Sequence, residues 1–326
     1  MKFPVSRVFF LSLVGVTLLL AGCRGGKEAS NARKAEEKVV SKDSFVIALL
    51  PRENIFYQKR RYKPLAEYLS KALGMKVKTK LLDSYEAVYR EMRMGGVDAA
   101  FFGGLSYVVM DSRVDIDPVA RPVHRDGRST YHGVIFGRMD KGISGDVSTW
   151  KGKRIALVSE STTSGYLFPR WYLHKKGVDN FRGYFGRVFY IGSHDGTIRA
   201  VMDDKADIGC STGRILDKFL DRNPTARQDL IILARSGTFP SDTLGVRKGS
   251  LDTKRARLLK EALLRMDGTD EGRNVLLVMR AARFIETGKT DYAGIQGMMS
   301  DLGLSPDSFG LGGIGHNGGD RTTGRP

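Results

Sequence analysis

The chain has 326 residues, with 53 Lys and Arg against 36 Asp and Glu, a formal charge of +17. That length accommodates two domains of ordinary size, and 41% hydrophobic residues exclude a wholly disordered chain. The basic residues are spread along the chain without a dense cluster or an aromatic RNA-binding motif, which argues against nucleic acid and leaves a membrane surface or small anions as partners. Two cysteines, Cys23 and Cys210, show no metal-ligand spacing, and no metal or other cofactor is expected.

Lys2 and Arg7 precede an apolar run over residues 8–20, too short for a stable membrane span, and then Leu20-Ala21-Gly22-Cys23. Residues 1–22 read as an export signal. The tetrapeptide also resembles the bacterial lipobox, in which the cysteine, here Cys23, is lipidated and becomes the mature N-terminus. Residues 23–44 are polar and charged and read as a disordered tether.

Residues 45–50 form a predicted strand, and Tyr62, Leu65, Ala66, Leu69 and Leu73 show helical spacing ended by Gly74. A strand over 75–82, a helix from the Ser84 cap to Met94, a strand over 97–102 and a helix over 105–111 follow. This alternation implies a mostly parallel sheet flanked by helices, with ligands at the carboxyl ends of its strands. Strands over 119–123 and 132–137 come next. The rhythm restarts with strands over 154–158, 187–191, 207–210 and 230–234, and helices ending near Met202 and Leu220. Residues 243–246 read as a strand, and the remainder as helices over 253–266, 270–279 and 292–302. The expected division places 45–134 with 244–304 in one lobe, 135–243 in a second, and a disordered tail over 305–326.

Strand 154–158 feeds Ser161-Thr162-Thr163-Ser164-Gly165-Tyr166, after which the pattern is helical. Free N–H groups at a helix start attract an anion. Hydroxyls there donate to anionic oxygens, and Gly165 lets the backbone come close. The plain alternative is that one hydroxyl only caps the helix. Pro169 predicts a short or kinked helix.

These pieces together resemble the phosphate/phosphite/phosphonate-binding family of periplasmic solute-binding proteins that serve ABC importers. The resemblance rests on Thr162-Thr163-Ser164-Gly165-Tyr166 with Pro169, and on Gly192-Ser193-His194-Asp195. Tyr62-Lys63-Pro64-Leu65, Val97-Asp98-Ala99-Ala100-Phe101-Phe102-Gly103 and Trp150-Lys151-Gly152-Lys153-Arg154 also fit, in this order and spacing. It implies an α/β, two-lobed type II periplasmic-binding fold with a hinge, and an oxyanion trapped between the lobes. It implies that Thr162, Thr163, Ser164 and His194 bind the anion and that Asp242 lies in the cleft. Phe102 stands where the family often has Tyr, so that contact is lost or moved to Tyr107 or Tyr57. Arg214 stands where binders of aminoalkylphosphonates carry Glu for the substrate ammonium. A unit charge at 4 Å contributes about 4 kcal/mol at an effective dielectric near 20, and Arg reverses its sign. Phosphate, phosphite, a methyl-type phosphonate or a doubly anionic phosphonate is therefore expected in preference to 2-aminoethylphosphonate.

The function expected from this resemblance is that of a monomeric, exported receptor, lipid-anchored and facing the periplasm or cell exterior, which delivers its anion to an ABC permease. A domain that reports the anion to a membrane kinase is the second reading. An enzyme acting on a phosphate or acyl ester is the third, with Ser161 or Ser164, His194 and Asp195. Asp195 adjoins His194 in sequence, so the two cannot easily form a relay, and no Gly-x-Ser-x-Gly elbow is present.

Overall fold

The structure, a computed structural model, describes residues 43–49 and 55–309. The predicted export signal, Cys23 and the tether up to residue 42 lie outside the described residues, as does the tail from 310 and the side chain of Tyr57. The chain begins with β1 (Ser44–Leu49), α1 (Ile55–Leu73), β2 (Lys76–Leu81), α2 (Tyr85–Arg93), β3 (Ala99–Phe102), α3 (Gly104–Val114) and β4 (Ile116–His124). Next come β5 (Thr130–Arg138), β6 (Arg154–Leu157), a π turn (Thr163–Leu167), α4 (Phe168–His174), α5 (Phe181–Tyr184) and β7 (Arg187–Tyr190). They are followed by α6 (His194–Met202), β8 (Ile208–Thr212), α7 (Gly213–Arg222) and β9 (Leu230–Pro240). The chain then runs through β10 (Thr243–Arg247), α8 (Thr253–Leu264), α9 (Asp270–Met279), β11 (Ala281–Glu286) and α10 (Ala293–Asp301).

The strands form two sheets. The first is six-stranded, in the order β11-β4-β10-β3-β1-β2, and the second five-stranded, in the order β7-β6-β8-β5-β9. The parallel part of each is a trio: β1 lies between β2 and β3, and β6 between β7 and β8. The other strands join antiparallel, so each sheet is mixed rather than mostly parallel. The chain changes sheet between β4 and β5 and returns between β9 and β10. The change does not fall at the expected boundary between residues 134 and 135, because the whole of β5 pairs with β8 and β9.

The trios share a device. Asp98, fully buried just before β3, accepts from Val46 N at 2.9 Å and pairs with Arg247 at 3.3 Å. Asp207, just before β8, accepts from Arg154 N at 2.8 Å and pairs with the Arg154 guanidinium at 2.7 Å. Each carboxylate ties one strand of the trio to the start of its neighbour. Burial alone would favour the neutral Asp207 carboxyl, but the hydrogen bonds from Arg154 outweigh it and hold the carboxyl below its usual range.

Several elements differ from expectation for local reasons. α1 starts at Ile55 rather than Tyr62 and carries Pro64 inside it. β11 had no strand signature, because only Ala281 and Phe284 of its six residues are buried and they do not alternate. Its start is set by Arg280, left-handed at φ 59°, which ends α9. β4 runs through Pro118 and Pro122; its register with β10 slips beside Pro118, and its register with β11 slips between Val123 and His124. Residues 305–309, expected in the disordered tail, are packed: Arg113 donates to the carbonyls of Pro306 and Phe309 at 2.8 and 3.1 Å, and Phe309 is buried against Tyr166.

A single apolar cluster joins the two sheets, taking in Phe102, Tyr107 and Tyr292 from one side and Ile155, Leu157 and Phe168 from the other. α10 reaches from the first sheet's side to α4, where Asp301 accepts from Trp171 Nε1 at 2.8 Å and pairs with Lys175 at 2.7 Å. Among the described residues no helix is long and apolar enough to cross a membrane.

Candidate functional site

Four strand ends converge on one cleft. β3 ends at Gly103, β6 at the hydroxyl cluster, β7 at Gly192 and Ser193, and β8 at Thr212, and residues from all four ends line a cavity of about 560 Å³. After each of these four strands the next element is a helix or π turn that begins beside this opening.

The hydroxyl turn is built tightly. Val158 N donates to Gly165 O at 3.1 Å, and Leu167 N donates to Thr162 O at 3.1 Å, the first i→i+5 bond of the π turn. The N–H groups ahead of that bond have no partner within the turn. Because Gly165 O is turned toward Val158, the Pro169 ring meets no conflict with a helical carbonyl four residues back. The expected short helix is α4, seven residues long, with Pro169 in its first turn.

The hydroxyls divide their roles. Thr162 Oγ1 donates to Ser159 O at 2.7 Å and does not cap the helix. Thr163 Oγ1 accepts from Leu105 N at 2.9 Å, so it satisfies an orphan N–H at the start of α3, across from its own sheet. Thr162, Thr163 and Ser164 all line the cleft. Gly165 does not. A Cβ there would lie 2.5 Å from Val158 Cγ2 and 2.7 Å from Thr162 Oγ1, so this glycine serves the packing of turn on strand, not approach to a ligand.

His194, the first residue of α6, lines the cleft, as do Asp242 and Arg214. Two other expected residues are elsewhere. Phe102 is fully buried, and its ring packs where a Cβ on Gly245 would stand. The strand alternation presents Phe101 to the cleft instead. Tyr107 is buried in α3 against Tyr292, with ring centroids 4.4 Å apart and its hydroxyl donating to Ile116 O at 3.4 Å. Asp195 pairs with Arg199 at 3.9 Å on the surface.

The structure adds residues that the sequence reading did not single out. His124 ends β4, Asp126 stands in the first change of sheet, and Ser241 in the second, beside Asp242; all line the cleft. Ser241 is 3% exposed, and among the described residues its hydroxyl has no hydrogen-bond partner. Arg214 Nη2 lies 3.6 Å from Asp126 Oδ2. Burial pulls the Arg214 guanidinium below its ordinary value, opposed by Asp126 and Asp242. Burial, together with Arg214 and Lys218, holds His124 below its ordinary value against Asp242 and Asp126, which favours neutral imidazole. Lys218 was legible in principle, since it follows Arg214 by one helical turn. His124 and Ser241 had no sequence signal, because only the topology brings them to the same cleft.

The family model described as ABC transporter, phosphonate, periplasmic substrate-binding protein matches residues 47–292. Among curated proteins, the phosphate-import protein PhnD of Mycolicibacterium smegmatis is 28% identical over 212 residues, 62% of this chain and 64% of that protein's length. The probable ABC transporter phosphite binding protein PhnD1 of Prochlorococcus marinus is 25% identical over 262 residues, 77% of this chain and 86% of that one. The solved structure of that Prochlorococcus protein in complex with methylphosphonate aligns with a TM-score of 0.69 at 22% identity, covering 80% of this chain and 98% of the other, a likeness of fold.

Proposed function

Because the chain belongs to the periplasmic substrate-binding family of ABC phosphonate transporters, we propose that it captures a tetrahedral phosphorus oxyanion (a phosphonate, phosphate or phosphite) and delivers it to an ABC importer. The two sheets are then the cores of two lobes, and the changes of sheet at residues 125–129 and 241–242 are the hinge. The observation that carries this reading is the convergence of four strand ends, with the hydroxyl-rich turn and the first residues of α6 and α7, on one cation-rich cleft. The methylphosphonate held by the Prochlorococcus relative supports the same ligand class.

The anion's oxygens meet the turn at Thr163 and Ser164, with His194 at the start of α6 as a further donor; Thr162, whose N–H and hydroxyl both donate to Ser159 O, shapes the turn. Charge-assisted hydrogen bonds of this kind contribute roughly 1.5–3 kcal/mol each. Their geometry is set in advance by the π turn, so little ordering is left for the ligand to cause. Contacts from both lobes favour the closed arrangement. The protein acts as a monomer, and lipidation at Cys23 holds it at the membrane, where each buried CH₂ contributes about 0.8 kcal/mol.

A thermal-shift screen of phosphate, phosphite, methylphosphonate and sulfate tests the reading. A ligand at 100 times its dissociation constant adds about 2.7 kcal/mol of stability. No shift with any phosphorus oxyanion, or a shift with sulfate alone, would overturn it.

A further inference from the structure

The cleft is larger and more basic than a bare tetrahedral anion requires. Its volume is about 560 Å³, whereas phosphate or methylphosphonate has five heavy atoms; pockets of roughly 300–1,000 Å³ ordinarily hold larger molecules. Arg61, Arg125, Arg214, Lys218 and Arg280 line it against two carboxylates, Asp126 and Asp242.

Part of this charge is gathered in one place. Arg214 and Lys218 stand one turn apart on α7 and share a face. Arg214 touches Asp126 at 3.6 Å, and the charges of Arg214, Lys218, Asp126 and Asp242 all act on His124. Three separate segments therefore meet here: the end of β4 with its following turn, the first turns of α7, and the crossover before β10. Ser241, in that crossover beside Asp242, brings a hydroxyl that is buried and without a hydrogen-bond partner among the described residues. A buried hydroxyl is ordinarily satisfied, and Ser241 lines the cavity, so a ligand group that reaches its hydroxyl is the complement.

We propose that this cluster is a second anion subsite, and that the ligand is a phosphonate whose substituent carries a carboxylate, held by Arg214 and Lys218 with Ser241 donating to it. The proposal rests on the reading that the hydroxyl turn holds the tetrahedral head. Asp126 and Asp242 both stand in this cluster against Arg214 and Lys218, and the excess of positive charge is that of the cleft as a whole, five cations to two carboxylates. A substituent ending in ammonium would enter a field of the wrong sign.

The test is calorimetric titration of phosphonoacetate, methylphosphonate and 2-aminoethylphosphonate into the full-length protein. Phosphonoacetate is expected to bind at least tenfold more tightly than methylphosphonate, and 2-aminoethylphosphonate more weakly than either. In Arg214→Gln and, separately, in Lys218→Gln, the ratio of phosphonoacetate to methylphosphonate affinity is expected to fall toward one. Ser241→Ala is expected to lower that ratio about threefold. Phosphonoacetate binding no more tightly than methylphosphonate, or a ratio that survives both charge removals, would overturn the subsite while leaving the oxyanion site standing. If no phosphonate and no phosphate binds, the reading of the cleft beneath it fails as well.

Discussion

Replacing Gly165 by alanine tests whether the hydroxyl turn is rigid enough to hold an anion. The added Cβ would meet Val158 Cγ2 at 2.5 Å, Val158 Cβ at 2.6 Å and Thr162 Oγ1 at 2.7 Å. Ordinary carbon contacts lie near 3.5–4.0 Å, so the turn must move by about 1 Å. Val158 cannot absorb the strain, because it is buried at the end of β6 and its β-branched side chain is stiff. Overpacking of this kind costs about 1–3 kcal/mol. At roughly 2–4 °C per kcal/mol, the melting temperature should fall by about 2–12 °C. The displacement also carries Thr162, Thr163 and Ser164 away from the positions they hold in the cleft. Loss of one charge-assisted hydrogen bond of roughly 1.5–3 kcal/mol weakens binding about ten- to a hundredfold. Thermal melts and methylphosphonate titrations of Gly165→Ala read both effects. Gly237→Ala is the control, since nothing lies within 4 Å of a Cβ there. A Gly165→Ala protein that melts and binds as the parent does would refute the packing argument.

Thr163→Val removes the acceptor for Leu105 N while keeping the shape of the side chain. Leaving that buried N–H unsatisfied should cost about 1–3 kcal/mol, and Thr163→Ser should restore most of it; equal melting temperatures for the valine variant and the parent would contradict the bond. Stability should also fall with acidification. Burial is the main cause of the low values of His124 and His132, so the unfolded chain binds protons there that the folded chain refuses. Their stabilisation is complete above the ordinary histidine value of 6.5 and is lost as pH falls through the folded values. Melting temperature should therefore decline as pH falls below about 6.5, and His124→Asn should flatten that decline; a flat profile in the parent would contradict it. At lower pH the Asp207 carboxylate adds a loss of the same sign, since its folded value is depressed, and Asp207→Asn should be less stable than the parent at neutral pH by thermal melt.

Within the parallel trios β1, β3, β6 and β8 were legible because a strand buried on both faces reads as an apolar run, and the helices that follow carry their own caps. Ser84 and Ser193 do cap α2 and α6 as such spacing suggests. What could not be read was whatever depends on the return of the chain. β11 has no alternation of its own and exists because β4 offers it an edge. β9 continues to Pro240 through Arg235, Ser236 and Gly237, polar or small residues that only pairing with β5 makes a strand. The cleft divides in the same way. Thr162, Thr163 and Ser164 announce themselves as three consecutive hydroxyls after a strand. Phe102 and Tyr107 do not reach the cleft because strand alternation and the helix face turn them into the core. His124 and Ser241 lie 117 residues apart in sequence and line the same cleft only because the chain changes sheet in both directions.

Capture of a tetrahedral phosphorus oxyanion by the hydroxyl turn is most directly tested by calorimetry with methylphosphonate, comparing the parent with a protein carrying Thr162→Ala, Thr163→Ala and Ser164→Ala together. Saturable binding to the parent is expected, with at least a hundredfold loss in the triple variant and a retained far-ultraviolet circular dichroism spectrum. Equal affinity in the two proteins, or no binding of any phosphorus oxyanion to the parent, would contradict it.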